Sequence, residues 1–349
     1  MEEPQEAICQ LCHRKSILIS SFLGVCRDCI LNNFPSSLPF IERAHQKVRA
    51  NFHLPYFCTS DHSFCNQCIH QCYGGKKSYC GLIEKGKRWA GTPNKGLLEW
   101  YYDPIPTNCV ASFACPERDH KGYKNLAVFY GGCNFNCLFC QNWHHHLLVE
   151  KKSPLIGVDE LEKAVHSKVA CVCFFGGDPI PQITHALAFA TKIKEKLRIC
   201  WETNGSASHE LIKKMFYLSA ESGGILKFDL KAFDERMHIA LTGVSNRFTY
   251  NNFAWAIEEA KKYPQVTVVA STLLVPGYIT EDEVEKIAEF IVQINPRIPY
   301  SLLGFAPNFY MENLPFTSVY HAEAALERCQ EKGLLQVHIG NRSLLSHSY

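Results

Sequence analysis

The chain has 349 residues, 46% hydrophobic and 20% charged, which is enough apolar material for one large α/β barrel or two domains and excludes a largely disordered chain. Its 36 Lys and Arg nearly balance 34 Asp and Glu, leaving nucleic-acid binding unsupported, and no run reaches the roughly 20 apolar residues needed to span a bilayer. The acidic start MEEPQEAICQ lacks the basic region of a secretory signal and predicts a soluble cytoplasmic protein; in that reducing compartment 18 cysteines predict metal, cluster or redox chemistry rather than disulfides.

Residues 1–35 carry Cys9, Cys12, Cys26 and Cys29 as CQLC and CRDC, two CxxC knuckles thirteen residues apart. Each knuckle offers two sulfurs to one tetrahedral ion, which predicts a zinc-ribbon-like module that draws its folding free energy from the metal. Residues 36–50 (SSLPFIERAHQKVRA) predict a linking helix with Ser36 or Ser37 as its cap. The loop-rich stretch up to residue 120 holds a second set, Cys65, Cys68, Cys72 and Cys80, suited to zinc or a second iron–sulfur cluster because both take thiolates. Cys58, Cys109 and Cys115 are spare ligands in the same region.

From residue 121 onward the pattern changes. NLAVFYGG, VACVCFFGGD, RICWETNG, GILKFDLKA, VTVVASTLLVPG and YSLLGFAP are short apolar runs of the kind buried on both sheet faces, with LLQVHIGN as a further strand. Helical stretches such as PQITHALAFATKIKEKL and EDEVEKIAEFIVQI separate them. Six βα repeats require right-handed parallel crossovers, giving an open doubly wound sheet or a complete or partial barrel, with functional groups at the carboxyl ends of the strands. Those ends carry GGC, GGDP, ETNG, DLK, VPG and FAP. Cys171, Cys173, Cys200 and Cys329 lie inside elements and read as small hydrophobes. His144, His145 and His146 read as solvated surface, and Trp143 as a cover for the loop or a packing residue.

Cys133, Cys137 and Cys140 form CNFNCLFC directly after the first of these strands. Three thiolates in one loop can hold three irons of a 4Fe-4S cluster and leave the fourth open to a ligand, whereas zinc sites usually come as paired knuckles.

YGGCNFNCLFCQNW resembles the signature loop of radical S-adenosylmethionine (SAM) enzymes, including Phe139 before the third cysteine. FFGGDP resembles the family's GGEP element; ETNG and DLK resemble elements of pyruvate formate-lyase activating enzymes, and ALTGVSN and LLVPGY continue the match. The Cys65–Cys80 pattern, followed by DPI at 103–105, resembles the front of activating-enzyme-like proteins of the AmmeMemoRadiSam type. The resemblance covers roughly residues 60–341 and implies an α/β fold, a partial (β/α)6-type TIM barrel over 121–349 behind the cysteine-rich region at 36–120. It implies a 4Fe-4S cluster on Cys133, Cys137 and Cys140, with SAM on the open iron and cleaved reductively to a 5′-deoxyadenosyl radical that takes a hydrogen atom from a protein or other large substrate. Gly176, Gly177 and Asp178 would line the methionyl amino group, and Thr203, Asn204, Asp229 and Lys231 the carboxylate or ribose. An electron donor such as ferredoxin or flavodoxin is implied as well. Glu202 stands where the family usually has Asp and Lys227 where it has an apolar residue, so Lys227 would supply a charge that relatives take from a bound cation. Asp178 also reads as a helix cap before Pro179, and Asp229 with Lys231 as a salt bridge. Glycyl-radical activation is the leading function. The alternatives are a radical modifier of a peptide, nucleic acid, lipid or cofactor and, from another class, a non-catalytic zinc-binding interaction protein.

Overall fold

The structure, a computed structural model, describes residues 5–57, 65–72, 77–106, 109–347 and 349. In the front of the chain, β1 (Ala7–Ile8) pairs antiparallel with β2 (Lys15–Ser16), α1 (Arg27–Asn32) leads into α2 (Phe34–Asn51), and β3 (Ile83–Glu84) pairs antiparallel with β4 (Lys87–Arg88). The long sheet holds β5 (Gly96–Pro104), β6 (Lys124–Tyr130), β7 (Leu155–Ile156), β8 (Val169–Gly176), β9 (Arg198–Thr203), β10 (Ile225–Asp229), β11 (Thr267–Leu274), β12 (Tyr300–Gly304) and β13 (Val337–Gly340). Its order is β13-β12-β11-β10-β9-β8-β6-β5-β7.

From β6 onward, β7 excepted, neighbouring strands are parallel and follow chain order without reversal. A doubly wound sheet reverses its order at a switch point, so this path is that of a barrel. Among the described residues the edges β13 and β7 do not pair, so the barrel is partial and open on one side. The sheet also reaches further forward than a boundary near Lys121 allows: β5 runs antiparallel along the whole of β6. Helices α3 (His145–Lys151), α4 (Val158–Glu162), α5 (Ile183–Ile193), α6 (His209–Ser222), α7 (Glu235–Thr242), α8 (Arg247–Ala260), α9 (Glu281–Ile294) and α10 (Val319–Glu331) connect the strands.

The period of two along each strand divides the barrel into an apolar outer layer and a chemically mixed lumen. Val172, Phe174, Ile199, Trp201, Leu226 and Phe228 turn outward into one core with the helix residues Phe189, Phe216 and Phe253. Phe174 and Trp201 stack with ring centroids 4.5 Å apart. Each such side chain contributes about 1.5–3 kcal/mol by leaving water. The alternate positions, Cys173, Glu202, Lys227, Asp229 and Ser271, line the internal cavity. The segment after β5 closes the lower end of the barrel, where Phe113 stacks on His338 of β13 at 4.9 Å and Cys109 and Ala111 pack with Ile225 and Val269. Cys109, Cys115, Cys171, Cys173 and Cys200 converge there around a cavity of about 30 Å³, so three of the strand cysteines belong to a thiol-lined compartment and only Cys329 lies in the outer core.

Helix α2 starts at Phe34, with Pro35 in its first turn where no N–H partner is needed. Ser36 and Ser37 are therefore inside the helix rather than caps, and the buried Ser37 hydroxyl donates to Asn33 O at 3.1 Å. The front module docks on the barrel rim. Tyr278 donates from its hydroxyl to Val25 O and accepts from Ser20 N, both at 2.9 Å, while Asn313 Nδ2 donates to Ile19 O at 2.8 Å. Among the described residues no helix is long and apolar enough to cross a membrane.

Candidate functional site

The loop leaving the carboxyl end of β6 places Cys133, Cys137 and Cys140 on a cavity of about 400 Å³. Phe139, Gly176, Gly177, Asp178, Asn204, Asp229 and Lys231 line the same cavity, so chain segments separated by up to about a hundred residues meet in one place. Burial pushes all three thiols up, Cys137 to about 11 and Cys140 to about 12, while the Lys231 ammonium pulls both of these down. A metal centre taking these sulfurs must displace their protons, and Lys231 lowers the cost of doing so. Lys231 also sits over the Phe139 ring at 5.8 Å.

Gly176 and Gly177 are required by the backbone next to them. Gly176 has φ +116°, and a Cβ on it would lie 2.5 Å from Tyr130 N; one on Gly177 would lie 2.2 Å from Gly132 O. Without side chains, the end of β8 lies flat on the end of β6, and Gly177 N donates to Tyr130 O and Asp178 N to Gly132 O at 2.9 and 3.1 Å. The close approach that demands glycine is thus to the cysteine loop itself.

Asp178 is an organising carboxylate. It accepts from Asn204 N at 2.7 Å, from Ile180 N at 2.9 Å and from the Thr203 hydroxyl at 3.1 Å. Burial nonetheless lifts it to about 7. The bond from Ile180 closes a turn around Pro179 rather than capping a helix, because Pro179 itself stands at the cap position of the short helical turn Ile180–Gln182; the other two bonds tie β8 to the end of β9. Thr203 does not line the cavity and acts through Asp178 and through Gly205 N, which donates to its hydroxyl at 3.1 Å. Asn204 Nδ2 donates to Asn134 Oδ1 at 2.7 Å, and Asn134 Nδ2 to Ser206 O at 3.1 Å, locking the ETNG turn to the cysteine loop.

Below the cysteines lies a neutral group of four charges. Lys227 Nζ is 2.7 Å from Asp229 Oδ1 and 3.3 Å from Glu202 Oε2, and Lys231 Nζ is 3.1 Å from Asp229 Oδ2. Ser271 donates to Asp229 at 2.6 Å and Cys109 to Glu202 at 3.4 Å. Burial opposes ionisation of Asp229, but the two lysines outweigh it and hold the carboxyl well below the usual range; Asp229 and Glu202 in turn hold the Lys227 ammonium charged against its burial. Asp229 and Lys231 therefore form a salt bridge and also face the cavity, and Lys227 places a fixed positive charge between two carboxylates. Nothing in the sequence marks Ser271, and Cys109 reads there only as a spare ligand of the second cysteine set; strand alternation turns Ser271 into the lumen, and the closing segment brings Cys109 to it.

The four front cysteines form a second centre. Cys9 and Cys29 sulfurs are 3.7 Å apart, as are those of Cys12 and Cys26, and all four ligand atoms lie within 4.8 Å of one another. Four sulfurs at about 2.3 Å from a tetrahedral ion are about 3.8 Å apart, so the donor set fits a single metal ion. Burial raises the Cys9 thiol, but N–H groups of Cys12, Cys26 and Leu11 outweigh it and bring it down to about 6.

The set at Cys65, Cys68, Cys72 and Cys80 is not gathered in this way. Among the described residues no other group of three or more metal-ligating atoms lies within 4.8 Å, and Cys72 is disulfide-bonded, which takes its thiolate out of the set. Cys58 lies outside the described residues. This segment instead wraps the cysteine loop: Ser208 N donates to Gln67 O at 2.9 Å and His70 Nε2 contacts Asn134 O at 2.8 Å. The histidine tract also differs from a solvated run. His144 is exposed and stacks on Phe129 at 4.3 Å, but His145 and His146 are buried on the cavity wall at the start of α3, because the loop turns inward after Trp143. Trp143 packs on Phe309 with centroids 6.0 Å apart.

A sequence profile of the Radical SAM superfamily matches residues 127–291. A Methanocaldococcus jannaschii protein named as a glycyl-radical enzyme activating enzyme is 30% identical over 190 residues, covering 52% of this chain and 67% of that protein. The pyruvate formate-lyase-activating enzyme of Staphylococcus aureus is 26% identical over 196 residues, covering 51% of this chain and 74% of its own length. Among solved structures, a domain of the pyruvate-formate lyase-activating enzyme of Bacteroides vulgatus aligns with a TM-score of 0.40 and 20% identity over 49% of this chain and 99% of that one. With its cysteine loop, glycine turn and barrel in that order, the chain belongs to the radical SAM superfamily and is an enzyme of the kind related to pyruvate formate-lyase-activating enzymes.

Proposed function

We propose that this enzyme cleaves SAM with a 4Fe-4S cluster on Cys133, Cys137 and Cys140 and generates a radical on a protein substrate, as a glycyl-radical-enzyme activase. What supports this reading is one arrangement: three half-buried thiols of a single loop share a cavity with the Gly176–Asp178 turn, Asn204 and the Asp229–Lys231 pair. A bound cluster would supply the electron that divides SAM into methionine and a 5′-deoxyadenosyl radical. The chain's own residues bind and orient the reactant. Lys227 and Lys231 put fixed positive charge where a methionyl carboxylate would lie, the backbone beside Gly177 offers polar groups to its amino end, and the packed segment at the lower end covers the lumen on that side. Tyr101, which is 51% exposed, lines the cavity together with Asp103 and Asn341 at the open side of the sheet, a route by which a peptide segment reaches the lumen. The relatives named as activating enzymes favour a protein substrate. The test is to incubate reduced enzyme and SAM with candidate glycyl-radical partners: a persistent glycyl doublet in the EPR spectrum is expected, and a methylated or cross-linked product without that signal would exclude the activase.

For the front centre we propose zinc with a structural role. Cys9→Ala should remove about one zinc per chain and lower the thermal midpoint, since the metal supplies the folding free energy of that module. Metal analysis checks this, and iron at the catalytic loop should persist in the variant; loss of both metals would show that the two centres are not separate.

A further inference from the structure

Arg49 lies on the buried stripe of α2 formed by Ile41, Ala44, His45 and Val48, and it is 1% exposed. Its guanidinium lies over the Tyr79 ring, 3.6 Å from the centroid. Nε donates to Pro55 O at 2.9 Å and Nη2 to Tyr79 O, while Nη1 is buried and has no hydrogen-bond partner. Among the described residues, the groups that act on this charge are the Tyr79 phenol and the Cys80 and Cys133 thiols, and no carboxylate is among them. Burial, and after it the Arg49 charge, disfavours protonation of His45, His70, His145 and His146, so none of them adds positive charge there. A permanently charged side chain out of water without an anionic partner is costly, and such groups persist where a counter-charge meets them.

The surroundings identify that partner. The Cys80 carbonyl oxygen is 3.3 Å from where a Cβ on Gly132 would stand, so Tyr79 and Cys80 lie against the backbone that carries Cys133. His70 contacts Asn134 in the same loop at 2.8 Å. Arg49 therefore stands beside the cysteine loop, close enough for its charge to act on Cys133. Three thiolates outweigh the charge of an oxidised 4Fe-4S core, and each electron added makes the assembly more negative. We propose that Arg49 is the buried counter-charge of this cluster, raising its reduction potential and coupling its assembly to the docking of α2; this rests on the cluster assigned above to Cys133, Cys137 and Cys140.

The test is an EPR-monitored redox titration, with dithionite as reductant, of reconstituted wild type, R49M and R49K. R49M should be harder to reduce, with the reduction equilibrium shifted about tenfold or more, which for one electron is about 59 mV per tenfold. R49K keeps the charge and should stay near the wild-type potential. A loaded R49M that titrates with the wild type overturns the proposal, whereas a wild type that takes up no cluster overturns the functional reading instead. Stability is the second readout. R49M should lower the thermal midpoint more in the cluster-loaded protein than in a background lacking Cys133, Cys137 and Cys140; equal losses, or failure to fold in both, make Arg49 purely structural and refute the counter-charge.

Discussion

Cys137→Ala is expected to give a folded protein that holds no iron at the catalytic loop and forms 5′-deoxyadenosine only at background level. The loop does not depend on this sulfur for its path. Asn136 N donates to Thr242 O at 2.9 Å, Leu138 N to Leu241 O at 3.0 Å, and Tyr310 N to Leu138 O at 3.0 Å, so backbone bonds anchor both sides of the cysteine. The stability cost should be about 1 kcal/mol, the usual scale for one substitution that removes few atoms. Cluster binding has no such redundancy. Each of the three thiolates would hold a different iron, so removing one would leave an iron without its protein ligand. Iron and zinc contents read side by side separate local loss from unfolding, because zinc at Cys9, Cys12, Cys26 and Cys29 should remain.

The second large effect is expected from a single methyl group. Gly177→Ala would put a Cβ 2.2 Å from Gly132 O and 2.8 Å from both Gly132 C and the His145 ring. None of these is the free end of a flexible side chain, so the backbone has to separate. The bonds from Gly177 N to Tyr130 O and from Asp178 N to Gly132 O would stretch together, moving the residue before Cys133. Overpacking of this kind costs about 1–3 kcal/mol in stability. The functional loss should be larger than that figure indicates, because cluster retention and SAM cleavage depend on where Cys133 points. A variant with wild-type iron content and turnover would show that the junction yields without consequence.

The parallel strands could be read from the chain because both faces of each are buried: VACVCFFGG is a nearly continuous apolar run, which a doubly covered strand sustains, and in GILKFDLKA the apolar residues alternate with the lumen residues Lys227 and Asp229. β5 was hidden by the opposite condition. In GLLEWYYDP only the first three residues are buried, and the exposed Glu99, Trp100 and Tyr101 make it look like surface loop. The cysteine loop announced its chemistry through spacing alone, whereas the interior thiols did not. Cys171 and Cys173 share a face with Glu202, Lys227 and Asp229 of neighbouring strands, and once polar residues are seen at alternate positions that face must be a lumen. The partners of Cys109 and Cys115 depend on where an irregular segment closes the barrel, which no periodicity encodes. His145 and His146 look like surface in the sequence because a polar tract does not show that it begins a helix whose first turn is buried. Arg49 did leave a trace: it falls on the same i, i+4 stripe as the buried His45, and a permanent charge on an apolar stripe marks a position that needs a partner.

The most direct test is to analyse the products formed when anaerobically reconstituted wild-type protein is reduced in the presence of SAM. 5′-Deoxyadenosine and methionine in equal amounts are expected, with the EPR signal of a reduced 4Fe-4S cluster that changes when SAM is added. Absence of both the nucleoside and the cluster signal from a protein that retains its front metal centre would contradict the proposed function, and would leave the barrel as a scaffold for metal-bound structure alone.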